Sequence, residues 1–199
     1  MTTRRAFIQA AAGAALPVAI SAGAQGIPAG TESFRRRELG AIVIDQDHEA
    51  ARTFGERFGV QGSTVLSIRE GDVTGAWLSA IRPLWSNHRA AIAGLTTPAA
   101  LFCLEQLAWP QGLRVVFHAE HILLPDGRIE HQVQRDPRMT RLTASNLRRA
   151  GSQWPRRLSD AMAAHGAPAG PRPGPSLAAL QPSLPEDATL LTSWIIAPA

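Results

Sequence analysis

The chain has no lysine, no tyrosine and only one cysteine, Cys103, among its 199 residues. Without lysine it cannot contain a Walker A phosphate loop, a Schiff-base nucleophile or a Ser-Lys dyad. Without tyrosine no phenol can act as an acid or a base. A single cysteine excludes an intramolecular disulfide, so the fold must be held together by packing. The sequence also lacks the G-x-S-x-G, H-E-x-x-H and C-x-x-C patterns, and with them the common catalytic signatures.

All 20 basic residues are arginine. Two of them, Arg4 and Arg5, belong to an amino-terminal segment with its own character. The rest of the chain contains 18 arginines and 16 acidic residues, so its net charge is +2. A balance this close to neutral does not favour binding to nucleic acid.

The first 24 residues have the features of a cleavable export signal. Arg4 and Arg5 form a positively charged start, and residues 10–24 are apolar and carry no charge. The small residues Ala22-Gly23-Ala24 predict cleavage after Ala24. The apolar stretch is about fifteen residues long, which is too short to span a bilayer easily. The segment is therefore interpreted as a signal peptide rather than an anchor.

The run TRRAFIQ at residues 3–9 resembles a twin-arginine (Tat) signal, in which paired arginines precede a large apolar residue. It departs from that pattern at Gln9, where lysine is common. The resemblance implies export by the Tat route to the periplasm or beyond, as a folded protein that commonly carries a cofactor or travels with a partner. A Sec signal that contains two arginines is the alternative.

The rest of the chain predicts a leader and one domain. Residues 25–37 predict a flexible leader, and residues 38–199 are enough for a single domain with its own core. Within that domain the proline-rich stretch 167–185 predicts an extended tether. No stretch after the signal has the roughly 20 apolar residues of a membrane span, so we expect no transmembrane helix in the mature chain.

Three successive β-α units predict an α/β fold with a mostly parallel sheet. Asp126-Gly127 between two apolar runs predicts an antiparallel hairpin with a two-residue turn at the edge of the sheet. The chain then predicts a helix over 154–165 and a C-terminal strand that returns to the sheet. The expected arrangement is three-layered and flavodoxin-like, with a strand order that begins 2-1-3. The strands are predicted at residues 41–44, 64–68, 90–95, 113–124, 129–134 and 189–196.

Polar residues follow the first three predicted strands. They are Asp45, Asp47, Asp72, Thr96 and Thr97. In such sheets ligands bind outside the carboxyl ends of the strands, where the strand order reverses, so these residues predict a small-ligand site. The alternative is that Asp47, Asp72 and Thr97 only cap helices.

The hairpin predicts a second candidate site. His118 and Glu120 share one face of their strand. With a two-residue turn, His131 falls opposite Ile122 and joins them on that face. Two histidines and one carboxylate can bind zinc or non-haem iron. An exposed polar face would contain the same residues, and a one-residue change of register would separate them.

An arginine-rich stretch predicts a surface for a partner. Between Arg135 and Arg157 there are seven arginines and one acidic residue. They predict contact with an acidic protein partner, co-exported or periplasmic, or with an anionic membrane. A solvated face is the alternative. The stretch contains two pairs, Arg148 with Arg149 and Arg156 with Arg157.

Three classes of function remain open from the sequence. The missing catalytic motifs favour an accessory or binding subunit of a periplasmic assembly, such as a redox assembly, without a reaction of its own. The alternatives are a small metal-dependent enzyme that uses the hairpin at 118–131, and a small-ligand carrier with its site at the carboxyl ends of the strands. The sequence does not identify a cofactor or an oligomeric state.

Overall fold

The computed structural model describes residues 38–133, 142–167, 184–185 and 187–198. They form an α/β fold around one six-stranded mixed sheet. The predicted signal peptide (1–24), the predicted leader (25–37) and most of the predicted tether (167–185) lie outside the described residues. The strands are β1 (Leu39–Asp45), β2 (Val65–Ile68), β3 (Ala91–Thr96), β4 (Leu113–Leu123), β5 (Ile129–Val133) and β6 (Thr189–Pro198).

The helices follow the strands in alternation over the first half of the chain. A π-helical turn, Trp77–Ile81, joins α2 to α3, and short 3-10 turns follow α4 and α5. The described part of the chain contains no helix with the length and apolar character needed to cross a membrane. The helices are α1 (Glu49–Val60), α2 (Thr74–Ala76), α3 (Arg82–His88), α4 (Pro98–Ala108), α5 (Ala144–Ala150) and α6 (Trp154–His165).

The first half of the sheet is parallel. Ile42 of β1 pairs with Val65 of β2 on one side and with Ala93 of β3 on the other. The predicted order 2-1-3 is therefore confirmed at this end of the sheet. β2 lies on one side of β1 and β3 lies on the other, so the direction in which strands are added to the sheet reverses between β1 and β3.

The second half of the sheet is antiparallel in its pairing. β6 lies between β3 and β4 and runs antiparallel to both. β5 pairs with β4 as the edge strand, so the complete order is β2-β1-β3-β6-β4-β5. The predicted C-terminal strand and the predicted edge hairpin are both confirmed. β6 is buried along most of its length, which explains why its sequence is apolar on both faces.

Each face of the sheet has its own apolar core. One face packs against α1, α5 and α6, whose inward side chains include Phe54, Leu147 and Trp154. The opposite face packs against α3 and α4, which contribute Trp85 and Leu101 among others. We refer to these as the α6 face and the α4 face. Which face a strand residue occupies decides which candidate residues can meet.

The hairpin turn is one residue longer than predicted. The Leu124 N–H donates to the Arg128 carbonyl at 2.9 Å, and the Gly127 N–H donates to the Leu124 carbonyl at 3.0 Å. Gly127 has a φ of 81°, the left-handed conformation typical of the last residue in a three-residue hairpin loop. His131 therefore pairs with His121. The prediction that it lies opposite Ile122 is wrong, because one extra loop residue moves the whole of β5 by one position.

A β-bulge in β4 also changes which side chains share a face. Val115 and Phe117 pair with consecutive residues of β6, so Val116 is the extra residue. Val115 packs on the α4 face, whereas Phe117 packs on the α6 face. The alternation of side chains restarts after the bulge. It places His121, four residues beyond Phe117, on the α6 face.

Candidate functional site

The loops at the carboxyl ends of the parallel strands lie close together, as the strand order implies. The Asp47 carboxylate accepts a hydrogen bond from the Glu70 N–H at 2.6 Å, which joins the first loop to the second. A Cβ added to Gly71 would lie 3.3 Å from the Thr97 hydroxyl oxygen, so the third loop lies close to the second. The three loops therefore form one continuous part of the molecule.

The polar groups of these loops are mostly occupied within the loops themselves. The Asp72 carboxylate accepts a hydrogen bond from the Thr74 N–H at 2.8 Å. The Thr97 hydroxyl caps α4. The capping prediction is confirmed for Thr97. It is wrong for Asp47, because α1 begins after His48 and has no side-chain cap. The free hydrogen-bonding capacity at these loops is correspondingly reduced.

The other two predicted ligand residues of these loops are buried. Asp45 and Thr96 are 1% and 0% exposed. The Thr96 hydroxyl accepts a hydrogen bond from the indole N–H of Trp194 at 3.0 Å. The Thr192 hydroxyl donates to the Thr96 carbonyl at 3.3 Å. Thr96 therefore joins β3 to β6 rather than facing a ligand.

The structure does not bring the three predicted metal ligands together. His118 and Glu120 lie on the α4 face of β4, whereas His131 pairs with His121 on the α6 face. Burial lowers the pKa of His118 and raises the pKa of Glu120, so both are shifted towards their neutral forms. Among the described residues, no three His, Cys, Asp or Glu side chains are arranged to hold a metal ion.

A cluster that the sequence did not predict lies on the α6 face. The Nδ1 atoms of His121 and His131 are 2.8 Å apart, within hydrogen-bond distance. The Nε2 of His121 lies 2.9 Å from the Ser193 hydroxyl oxygen. His121 and Ser193 are fully buried, and His131 is 5% exposed. These residues form a continuous polar line from the middle of the sheet to its edge, which we call the His-His-Ser chain.

The Trp154 ring packs against both imidazoles of the His-His-Ser chain. Trp154 is the first residue of α6 and is almost fully buried. Its ring lies 4.4 Å from that of His121 and 5.1 Å from that of His131, measured between centroids. An aromatic cover of this kind excludes water from the two imidazoles and holds their orientation.

Burial controls the protonation of the two histidines. It holds the pKa of His121 well below the usual value, with smaller contributions from His131 and His118. Burial, followed by the positive charge of Arg148, lowers the pKa of His131 to about 4. Both imidazoles are therefore neutral at neutral pH.

Two neutral arrangements of protons satisfy the His-His-Ser chain. A neutral imidazole has one N–H and one lone pair, so one Nδ1 must donate to the other. If His121 is this donor, the Ser193 hydroxyl donates to His121 and His131 has its proton on Nε2. If His131 is the donor, His121 donates to Ser193 and the Nε2 of His131 is a lone pair. The buried serine is thereby linked to the outer nitrogen of His131.

That outer nitrogen belongs to a residue that lines a pocket. The pocket has a volume of about 610 Å³ and lies between the hairpin and the corner from α5 to α6. We call it the hairpin pocket. Within the described chain, no side chain is hydrogen-bonded to the Nε2 of His131. Besides His131, its walls are formed by residues 127–130 and by Arg148, Gly151 and Ser152.

The four arginines of the predicted partner surface are exposed. Arg148 and Arg149 lie in the last turn of α5, and Arg156 and Arg157 lie in α6. None of them forms an ion pair with a carboxylate in the part of the chain that the structure describes. Of these four arginines, only Arg148 lines the hairpin pocket. The structure thus distinguishes one arginine from its neighbours.

Sequence reasoning missed three members of the site, His121, Ser193 and Trp154. Ser193 lies in the mostly apolar segment LLTSWII of the C-terminal strand. A polar residue inside a fully buried strand needs a hydrogen-bond partner. This requirement could have indicated that Ser193 has a buried hydrogen-bond partner. The sequence does not show which residue that partner is.

No family model matches this chain, and neither a curated protein nor a solved structure matches it.

Proposed function

We propose that the protein is an exported binding protein, an accessory or binding subunit without a reaction of its own, and that it binds a small ligand in the hairpin pocket. The pocket carries this proposal. Its volume of about 610 Å³ falls within the range of roughly 300–1,000 Å³ that is usual for small-molecule sites. Its walls combine the buried imidazole of His131 with the guanidinium of Arg148, which are polar groups able to orient a ligand.

The burial of Ser193 supports binding rather than catalysis. A serine hydroxyl within hydrogen-bond distance of an imidazole is the arrangement of an activated nucleophile. Ser193 is 0% exposed, however, and lies on a central strand beneath α6. A substrate carbonyl could not approach this oxygen. The His-His-Ser chain is therefore better suited to positioning His131 than to forming a covalent intermediate.

We expect that filling the hairpin pocket will abolish ligand binding. Ser152 is exposed and lines the pocket, so the indole of Ser152→Trp would occupy the ligand volume without disturbing the core. Native mass spectrometry of the protein purified from the periplasm would detect a retained small molecule in the unmodified chain. The same measurement on Ser152→Trp should show the protein without it.

The matched control is Ser86→Trp. Ser86 is exposed on α3 and is not among the residues that line the pocket, so this variant should retain the ligand. Equal retention by both variants would place the ligand elsewhere. Absence of any retained molecule, together with no thermal stabilisation by a library of small metabolites, would contradict the proposed function.

Two alternatives have less support. A carrier site at the carboxyl ends of the strands is favoured by the closeness of Gly71 to Thr97. The Asp47 and Asp72 carboxylates nevertheless bond within the loops. A metal-dependent enzyme based on the hairpin would need His118 and His131 on one face, and they lie on opposite faces. The hairpin pocket is preferred to both.

The finer description of the fold is also a proposal. The order β2-β1-β3 and the apolar cores on both faces of the sheet support a three-layer, flavodoxin-like arrangement for the first half of the domain. β6 departs from that pattern, because it runs antiparallel between β3 and β4.

Docking to an acidic protein partner remains part of the proposal. Arg149, Arg156 and Arg157 are exposed on neighbouring helices, and α5 contacts α6. Three positive charges on one corner would attract an acidic surface. They lie outside the lining of the hairpin pocket, so a partner and a ligand could use adjacent parts of this corner.

For the export route we expect that Arg4→Lys with Arg5→Lys will leave the precursor in the cytoplasm. The paired arginines are the feature of the signal that resembles the Tat pattern, and lysine preserves their charge. Fractionation followed by immunoblotting measures the outcome. A Sec signal would tolerate the change, and normal export in a strain without the Tat translocase would contradict the Tat proposal.

A further inference from the structure

We infer that the ligand of the hairpin pocket is a small oxyanion, a carboxylate or a tetrahedral oxyanion such as phosphate, held between the Arg148 guanidinium and the Nε2 of His131 and bound together with one proton. This inference rests on the proposed function, since it identifies the ligand class of the same pocket. Three features of the described residues support it: the charge of the pocket wall, the free nitrogen of His131, and the capacity of the His-His-Ser chain to accept a proton.

Arg148 provides the positive charge of the pocket. The neighbouring Arg128 is already neutralised, because its guanidinium lies 2.6 Å from the Asp126 carboxylate. Arg148 forms no ion pair with a carboxylate among the described residues, and its charge acts on His131. Glu130 also lines the pocket, but the alternation along β5 directs its side chain to the opposite face from His131. The groups that meet a ligand beside His131 therefore favour an anion.

His131 provides a donor aimed by its neighbours. Its Nδ1 is held by His121 at 2.8 Å, which leaves Nε2 for a ligand. A protonated His131 donates from both ring nitrogens. Its Nδ1–H then bonds to the lone pair of His121, whose own N–H donates to Ser193. The chain can therefore accept one additional proton at its outer end, and every N–H of the two imidazoles except the new Nε2–H of His131 then has an acceptor.

An oxyanion would supply the missing partner for that proton. In the empty pocket the imidazolium form of His131 is disfavoured by burial and by Arg148. The other elements packed against His131 contribute neutral groups, which are His121 from β4 and Trp154 from α6. An anion between Arg148 and His131 offsets the charge of the arginine and accepts the Nε2–H. The pKa of His131 must rise on binding, so the anion and the proton bind together.

The sign of the pH dependence follows directly. The pKa of His131 is about 4 in the empty pocket and higher in the complex. Between these two values, binding takes up a proton, and affinity increases as the pH falls. The increase approaches tenfold per pH unit and would reach about three-hundredfold over the whole interval if the pKa returned to about 6.5. Below pH 4 both forms are protonated and the affinity is constant.

The test is titration of the mature protein with formate and with sulfate, whose charges do not change between about pH 5 and pH 7.5. The two probes distinguish a carboxylate from a tetrahedral oxyanion. Binding is followed by NMR on the imidazole signals of His131. We expect at least one probe to bind, with a dissociation constant about tenfold or more lower at pH 5 than at pH 7.5.

Matched variants then separate a built site from general surface charge. Arg148→Ser should weaken binding about tenfold or more at both pH values, whereas Arg149→Ser should not. Equal weakening by the two variants would overturn the inference, as would an affinity that does not change with pH. His131→Gln keeps a hydrogen-bond donor and should remove the pH dependence. If that variant does not fold, the NMR titration of His131 itself, with and without the probe, gives the same information as a shift in pKa.

The outcomes also separate this inference from the proposed function. A neutral compound that is retained by the unmodified protein and lost from Ser152→Trp would leave the binding function standing and would overturn the oxyanion. A pocket that retains nothing and binds neither probe would overturn both.

Discussion

Replacing Gly94 with alanine is expected to destabilise the protein by about 3 kcal/mol or more. A Cβ at this position would lie 2.7 Å from Cε2 of Trp194 and 2.7 Å from the carbonyl oxygen of Val43. Neither neighbour can move easily. Trp194 is fully buried and is held by its hydrogen bond to Thr96, and Val43 is part of the central parallel pairing. The free energy of unfolding, measured by urea titration and tryptophan fluorescence, tests this expectation.

Gly59→Ala is the matched control. Gly59 is exposed on α1, and an added Cβ would have no heavy atom within 4 Å. Because alanine reduces the conformational freedom of the unfolded chain, this change should stabilise the protein by up to about 1 kcal/mol. If Gly94→Ala were as stable as the unmodified protein, the close packing of β3 against Trp194 would be refuted.

The pairing of β3 with β6 shows how much of the fold the sequence could predict. The β-α units of the first half follow local patterns, and they predict the strands, their helices and the order 2-1-3. The small residues of β3 also predict a crowded position. They do not show that the neighbour is β6, since the C-terminal strand pairs with residues about a hundred positions earlier. Pairing over such a distance leaves no trace in the periodicity of either strand.

The candidate site depended on two single-residue features. The hairpin loop contains one residue more than predicted, Pro125, and Val116 adds one residue to β4 as a bulge. Each changes the face of every side chain that follows it. The sequence therefore identified His131 as a functional candidate but placed it beside His118 and Glu120. It also identified Arg148, but as part of a partner surface and not as the wall of a pocket.

The His-His-Ser chain places three polar side chains inside an apolar core. Buried polar groups stabilise a fold little when they are satisfied, and they destabilise it when one partner is removed. The His-His-Ser chain satisfies its members only while both imidazoles are neutral or while the outer one has a partner for its proton. This condition predicts how the stability of the empty protein depends on pH.

The free energy of unfolding is expected to fall by about 2–3 kcal/mol as the pH is lowered from 6.5 to 4 through the His131 pKa alone. In the unfolded chain a histidine binds its proton near pH 6.5. In the folded protein His131 does so only at about 4, and burial lowers the pKa of His121 as well. Between these values the unfolded state binds more protons. The contribution to stability is therefore complete above pH 6.5 and is lost as the pH falls through this interval.

A variant that replaces the whole chain with apolar side chains isolates this effect from the titration of carboxylates. His121→Leu, His131→Leu and Ser193→Ala together leave no unpaired polar member behind, so their combined effect at pH 7.5 should be small. Ser193→Ala alone should destabilise by about 1–3 kcal/mol, because it removes a partner of the buried His121. Urea titrations at several pH values should show a shallower pH dependence in the triple variant than in the unmodified protein. Parallel curves for the two proteins would show that the buried histidines do not control acid stability.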